Sequence, residues 1–483
     1  MKLKYRNNMF KQWMIFLAAL IVTATASGQE EKEWSLEECI AHAHQNNITV
    51  KQQELNLKNI DLDVKKSKLN MLPSLNSYAS HYYSWGKYVD PFTNEFSTER
   101  IMGEQFGAQA YVSLYEGFQK QNTLKRDRLK HTAEQYNYDK LLDDISINIA
   151  NQYVSVLFAM ENLEIARNQY EITRQQVDRT SKLVEAGTLA RGDLLNIQSQ
   201  AAAEEYNVVQ ARNDLDMAYL NLAQLLDLES VSGFSIEKPE LALGQSNAAM
   251  EPVEAVYNYA LQHQPEIKSA ELGVKVSEKE KGIAKGSLHP SLELSGSIST
   301  GYSQANKTVE SYDSETIPVG FTENDEMVYA TQQVPTSFGT VPFGDQLDEN
   351  LNESVNLRLN IPIFNNWSAR TRISKAKLQY ENAKYELELE KQNLRKNIQT
   401  ARADARSALN QYQSAQAKVA ATKEAFRYAE KRFNVGVINS VEYNDAKKEL
   451  TNARSQLLNA KYRFVFTKTV LDYYLGNPIN IKK

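Results

Sequence analysis

The chain has 483 residues with 55 basic and 60 acidic side chains, a net charge of −5, and one cysteine. That balance offers no electrostatic footprint for nucleic acid, and the lone Cys39 excludes an internal disulfide framework. Only 19 glycines and 11 prolines punctuate the chain, so long uninterrupted helices are expected rather than compact domains rich in turns.

Lys2, Lys4, Arg6 and Lys11 precede an apolar run from Trp13 to about Thr23, followed by Ala24-Thr25-Ala26-Ser27-Gly28. A positive start, a short apolar middle and small residues at the end predict a secretory signal peptide over 1–28, cleaved after Ala26 or Gly28. The run is shorter than the roughly 20 apolar residues of a membrane-spanning helix. Removing four basic residues and no acids takes the net charge from −5 to −9.

Residues 34 to about 70 read as a helix, with Ser35 as N-cap, Glu38 closing a capping box and Pro73 ending it. Cys39 lies in this helix as a small packing residue. Residues 251 to about 287 repeat the pattern and end at Pro290. Met71-Leu72-Pro73-Ser74-Leu75 and Leu288-His289-Pro290-Ser291-Leu292 stand 217 positions apart.

After each proline the period changes to two. Phe106, Ala108, Ala110 and Val112 alternate with Gln105, Gly107 and Gln109, and Val355, Leu357 and Leu359 alternate with Asn356, Arg358 and Asn360. Strands are predicted at about 75–88, 104–115, 291–302 and 352–362. Each is about 10 residues long, the length of a tilted transmembrane strand. Tyr82, Tyr83, Trp85, Tyr88, Tyr111 and Tyr115 are candidates for interfacial aromatic girdles. Residues 86–104 read as a short loop. Residues 303–350 read as a long polar one, with nine acids and one base, Lys307, placed outside the cell.

Long helices follow both strand pairs, with apolar or small residues stepping by four and three, as in a coiled coil. Ile373, Ala376, Tyr380, Ala383 and Leu387 start the second seam, which runs on to Phe433. At 1.5 Å per residue such a helix is on the order of 100 Å long. Each ends at a tip, 185–193 or 434–442, whose Gly187 or Gly436 suits a left-handed C-cap. The glycines are 249 positions apart, and an acid, Asp193 or Glu442, follows each by six. Return helices are predicted at 193–228 and 440–475. The chain therefore reads as a signal peptide (1–28) and two repeats, 29–250 and 251–483.

Four strands leave unpaired backbone edges in hydrocarbon and cannot close alone, since the smallest barrels have about eight strands. Several chains must pool them: two would give eight strands and three would give twelve. Nothing supports catalysis. His42 and His44 are two apart and do not share a helix face, and no glycine-rich phosphate loop or nucleophile elbow is evident. No cofactor or metal ligand set is predicted, and the nine methionines do not cluster at the tips.

The Pro-Ser-Leu words, the two glycine tips and the stretch from Phe433 to Asp445, continuing through Leu450-Thr451-Asn452-Ala453-Arg454, resemble the TolC-like outer-membrane efflux protein family. The resemblance covers the chain beyond the signal peptide. It implies a mainly α fold with membrane β: a homotrimer whose shared twelve-stranded β-barrel continues into a long periplasmic α-helical barrel. It implies an outer-membrane exit duct in a Gram-negative bacterium, embedded in outer-membrane lipid. The duct would passively conduct what an inner-membrane pump, of the resistance-nodulation-division or ABC type, delivers through a periplasmic adaptor in efflux or type I secretion. Tip residues Gly187, Thr188, Leu189, Gly436, Val437 and Ile438 would contact the adaptor. Glu442 and Asp445 match the family's constricting acidic ring, with Asp193 at a latch position, while Phe433 and Ile438 replace a tyrosine and an arginine that latch closed members. The alternative is a trimeric structural protein or adhesin, which has no need of a duplicated unit with two tips.

Overall fold

The computed structural model describes residues 33–89, 94, 96–98, 100–240 and 252–481. The predicted signal peptide lies outside them. In chain order the elements are β1 (Glu33–Trp34), α1 (Leu36–Asn46), α2 (Ile48–Leu69), β2 (Ser74–Ser84), β3 (Tyr88–Val89), β4 (Phe96–Ser97), β5 (Ile101–Glu116), α3 (Gln119–Glu185) and α4 (Arg191–Leu225). Then come β6 (Ser235–Ile236), α5 (Val253–His263), α6 (Pro265–Gly286), β7 (Ser291–Ser303), β8 (Lys307–Phe321), β9 (Met327–Thr340), α7 (Phe343–Glu349), β10 (Asn352–Asn360), α8 (Ser368–Asn434) and α9 (Ser440–Tyr474).

The helices come in pairs of equal length. α1 and α5 have 11 residues each, α2 and α6 have 22, α3 and α8 have 67, and α4 and α9 have 35. The helix expected over 34–70 is two helices. Ser35 and Glu38 form both halves of the capping box that starts α1. Asn47 then leaves the helical region (φ −58°, ψ 129°) and its Oδ1 accepts from the backbone N–H of Thr49, so it ends α1 and caps α2. Gln264 also leaves the helical region in the second repeat (φ −65°, ψ 129°), with Pro265 as the first residue of α6; its side chain accepts from the Tyr473 hydroxyl instead of capping.

The described residues divide into two compact units, one within 33–58, 133–240, 252–271 and 386–481, the other within 59–132 and 272–385. In the first unit, Leu36, Cys39 and Ala43 of α1 pack against Ile149, Tyr153 and Leu157 of α3, Leu222 of α4, and Tyr462 and Val465 of α9. Cys39 is fully buried, and burial pushes its thiol up to about 12, consistent with an inert packing role. Val256 and Ala260 of α5 meet Ile267, Leu394 and Ile398 in a second cluster. These positions repeat: Cys39 and Ala43 correspond to Val256 and Ala260 at an offset of 217, and Ile149 and Leu222 to Ile398 and Leu471 at 249. The duplication thus extends to the buried side chains.

The second unit holds a four-stranded, wholly antiparallel sheet in the order β10-β7-β5-β2. Its register sorts the side chains. Leu75, Ala110, Leu294 with Val112, and Leu357 lie on one face, along with Val355 and Leu359. Asn76, Gln109, Ser297 and Ser354 lie on the other. The apolar face is open: Leu75 is 75% and Val355 82% exposed. Of the candidate girdle residues, Tyr83 shares the apolar face, whereas Tyr82 and Tyr111 fall on the polar one by strand alternation. Tyr82 and Tyr78 lie across Gly103 and Gly107, where an added Cβ would meet the rings at 2.4 and 2.7 Å.

The polar stretch 303–350 is structured. β8 and β9 form a hairpin with three register irregularities and a proline in each strand, Pro318 and Pro335. α7 is held to β7 by Gln346, which is fully buried and bonds both the N–H and the carbonyl of Ser303 at 2.9 and 3.1 Å. Among the described residues no helix is long and apolar enough to cross a membrane.

Candidate functional site

The two tips share one backbone solution. Gly187 and Gly436 have φ of +78° and +75°, a region that only glycine enters without steric cost. The N–H of Gly187 bonds Val184 O and that of Thr188 bonds Leu183 O, both at 2.9 Å. At the second tip Gly436 bonds Phe433 O at 3.0 Å and Val437 bonds Arg432 O at 2.9 Å. Both are Schellman closures of a 67-residue helix. The return helices start differently. Asn439 caps α9 by accepting from the Glu442 N–H at 2.9 Å, whereas Ala190 caps α4 with no side-chain bond.

Glu442 and Asp445 are both exposed, three apart in the first turns of α9, and Asp193 is half-buried in the first turn of α4. Gly187, Thr188, Leu189, Gly436 and Val437 are exposed, Val437 by 63%. Ile438 differs from these at 8% exposure. Phe433 stacks on Tyr443 within its own hairpin, 4.7 Å between centroids and 27° between planes. Phe426 meets the same ring at 5.5 Å.

Tyr443 leads to a group that the sequence reading missed. Its ring is buried (4% exposed), and its hydroxyl accepts from the Gln176 side-chain amide of α3. Burial raises its pKa, and the bond from Gln176 opposes that. One turn further along α9, Lys447 is also 4% exposed. Its Nζ donates to Thr173 Oγ1 of α3 at 2.6 Å. The Thr173 hydroxyl in turn bonds Glu204 Oε2 of α4, and Nζ lies 3.9 Å from Glu204 Oε1. Gln200 donates to Glu204 Oε1 at 2.9 Å. Burial lowers the Lys447 pKa, partly offset by Glu204. Thr173 is fully buried and Glu204 is 5% exposed. An ion pair this dry persists only because hydroxyl and amide groups satisfy the remaining lone pairs.

Close to the tips, Tyr443–Gln176 and Lys447–Thr173–Glu204 therefore join the second hairpin to the first, as Tyr462–Glu161 and Tyr473–Asp143 do farther along α9. The sequence carries one hint and nothing about the partners: Tyr170 and Val177 of α3 are seven apart at coiled-coil spacing, and the position between them is the polar Thr173. Among the described residues no cluster of three or more potential ligands could hold a metal ion.

The family model described as "Outer membrane efflux protein" matches residues 39–227 and 256–477. The chain is 23% identical over 441 residues to Outer membrane protein TolC of Escherichia coli (strain K12), with 89% of this chain and 78% of that protein covered. It is 21% identical over 427 residues to Cation efflux system protein CusC of the same strain, with 88% and 82% covered. The structure of the outer membrane protein VceC from Vibrio cholerae matches with a TM-score of 0.71 at 16% identity, covering 92% of this chain and 97% of that one. That likeness speaks to the fold.

Proposed function

Because the chain belongs to the outer membrane efflux protein family, we propose that it is the outer-membrane exit duct of a tripartite efflux or type I secretion assembly. It is an outer-membrane protein, and its family is one of channels rather than enzymes. In this reading three copies pool their strands into a twelve-stranded barrel, and their helices line a periplasmic passage. An inner-membrane pump delivers cargo, and a periplasmic adaptor docks at the tips around Gly187, Thr188 and Leu189 and around Gly436, Val437 and Ile438.

The sheet carries this reading. Its order β10-β7-β5-β2 is antiparallel throughout, so the two edge strands run in opposite directions. β2 of one copy can therefore pair antiparallel with β10 of the next, and such a series closes without a raw edge. One face is apolar and open, as lipid requires, and the other carries serine, asparagine and glutamine, as a wet lumen requires. At the tips, in this reading, Glu442 and Asp445 from three copies supply six carboxylates to the mouth, with Asp193 in each chain's first tip. Such a ring favours cations and repels anions.

Single-channel current of the purified protein in a planar bilayer tests this. A cation-selective current that loses selectivity in Glu442→Ala/Asp445→Ala supports the duct and its acidic mouth. An unchanged current in the variant leaves the duct and removes the gate role from these acids. No insertion from a folded oligomer overturns the duct.

A further inference from the structure

We propose that two copies of this chain meet through a second, wider version of the seam that joins the two repeats inside one copy: Leu359 of β10 lies opposite Ala79 of β2 in the next copy, and Leu69 of that next copy fills the seat beneath Ser368. The proposal deepens the duct reading and rests on its pooled strands.

The internal seam supplies the template. β5 lies against β7 with Ala110 opposite Gly296, Phe106 opposite Thr300 and Tyr115 opposite Leu292. Moving the β5 member on by 249 and the β7 member back by 217, the two repeat offsets, places Leu359 opposite Ala79, Val355 opposite Tyr83 and Phe364 opposite Leu75. The first two pairs share the apolar face, and Asn360 with Tyr78, matched by the same shift, share the polar one. A register one residue away would set apolar against polar positions, so only even shifts compete. Phe364 and Leu75, 76% and 75% exposed in the single chain, would cover each other.

The backbone that leaves the strands is repeated too. Gly117 and Phe118 have φ of +61° and +62°, and Asn366 and Trp367 have +53° and +64°. Each left-handed pair leads directly into a 67-residue helix, so the chain turns the same way at both seams.

The side chains at this turn exchange sizes. Inside the chain Gly286, the last residue of α6, lies beneath Gln119, the first residue of α3, and an added Cβ at Gly286 would collide with the Gln119 side chain. The equivalent positions at the outer seam are Leu69, the last residue of α2, and Ser368, the first of α8. A glycine under a long side chain becomes a long side chain over a small one. One turn away, Gly282 beside Asn122 becomes Lys65 beside Thr371. Gly117, where a Cβ would strike the Gly286 carbonyl, becomes Asn366. The outer seam is therefore the wider one, and Leu69, 51% exposed in the single chain, fills it. The exchange also keeps the seams distinct, because Asn366 cannot enter the seat that Gly117 occupies.

The test uses the full-length protein, in which Cys39 is fully buried and does not compete. Oxidation of Leu359→Cys/Ala79→Cys should link the copies into a covalent ring on a non-reducing gel. Leu359→Cys/Ser77→Cys and Leu359→Cys/His81→Cys should not, because diagonal neighbours about 7–8 Å apart lie beyond the reach of a disulfide. The seat is tested by exchange. Leu69→Gly, at a helix end where glycine is tolerated, should make the oligomer dissociate at about tenfold higher concentration. Ser368→Gln alone should overfill the seat and weaken assembly. Leu69→Gly/Ser368→Gln rebuilds the Gly286–Gln119 pair between copies and should recover most of the loss. A double variant no tighter than Leu69→Gly, or a ring closed through either displaced pair, overturns the proposal and leaves the duct standing. Folded wild type that remains monomeric overturns both.

Discussion

The side-chain amide of Gln176 donates to the hydroxyl of Tyr443, so a residue near the end of α3 is bonded to a residue at the start of α9, 267 positions later. The same tyrosine ring stacks on Phe433 and meets Phe426 at a tilt, both on α8. One side chain thus serves two hairpins: its ring closes the second, and its hydroxyl ties that hairpin to the first.

Tyr443→Phe keeps the aromatic packing and removes only the bond. We expect a loss of about 0.5–1.5 kcal/mol, the worth of an ordinary hydrogen bond, read as a lower midpoint in thermal unfolding. In the bilayer it should raise the basal current. Phe433→Ala should cost more stability, because it empties the stack.

Ala190 occupies in the first repeat the N-cap position that Asn439 fills in the second. Ala190→Asn supplies the missing acceptor for the first turn of α4. A gain of about 0.5–2 kcal/mol is expected, and Asn439→Ala should lose a similar amount. An Ala190→Asn protein that melts at or below the wild-type midpoint would show that the first tip cannot use a cap.

Asp143 and Glu266 both have raised pKa values, chiefly from burial. In Asp143 the bond from the Tyr473 hydroxyl, at 2.9 Å, opposes the rise. A carboxyl whose folded pKa lies above its unfolded value makes the folded state bind more protons. Stability from these groups therefore grows as pH falls through the folded pKa and levels off below the unfolded one. Asp143→Asn should be more stable than wild type at neutral pH and gain less on acidification. Melting curves between pH 7 and pH 4 test both signs.

The two faces of the sheet should tolerate charge very differently. Val355→Arg, on the open apolar face, should cost about 2–4 kcal/mol if it sits near the bilayer midplane, seen as reduced folding into liposomes. Asn356→Arg, one residue along on the polar face, should fold normally and shift ion selectivity toward anions. Equal effects of the two would contradict the assignment of faces.

Much of this architecture is written in local chemistry. Gly187 and Gly436 mark both tips because no other residue sits comfortably at φ near +75°, and Pro73 and Pro290 mark where helix gives way to strand. The break at Asn47 is not visible in periodicity, since apolar positions continue on both sides; only the Asx cap, or Pro265 in the other repeat, betrays it. The β8–β9 hairpin was hidden because Pro318 and Pro335 argue against strands, yet prolines and bulges are also how a two-stranded ribbon guards its free edges. Of the tip site, the exposed acids were legible as sequence, whereas Tyr443, Lys447, Thr173 and Glu204 were not. Their roles depend on which seam positions face each other across residues far apart in the chain, and no local pattern encodes that pairing.

The offset between the repeats rises from 217 to 249 across the segment that holds the β8–β9 hairpin, while every paired helix keeps its length. Extra residues have therefore been absorbed there without moving any seam position elsewhere. The turn from Thr322 to Glu326, closed by a 2.8 Å backbone bond and exposed throughout, is the natural port for foreign sequence. An epitope or affinity handle spliced into that turn would ride on the ribbon and leave the length of every paired helix unchanged.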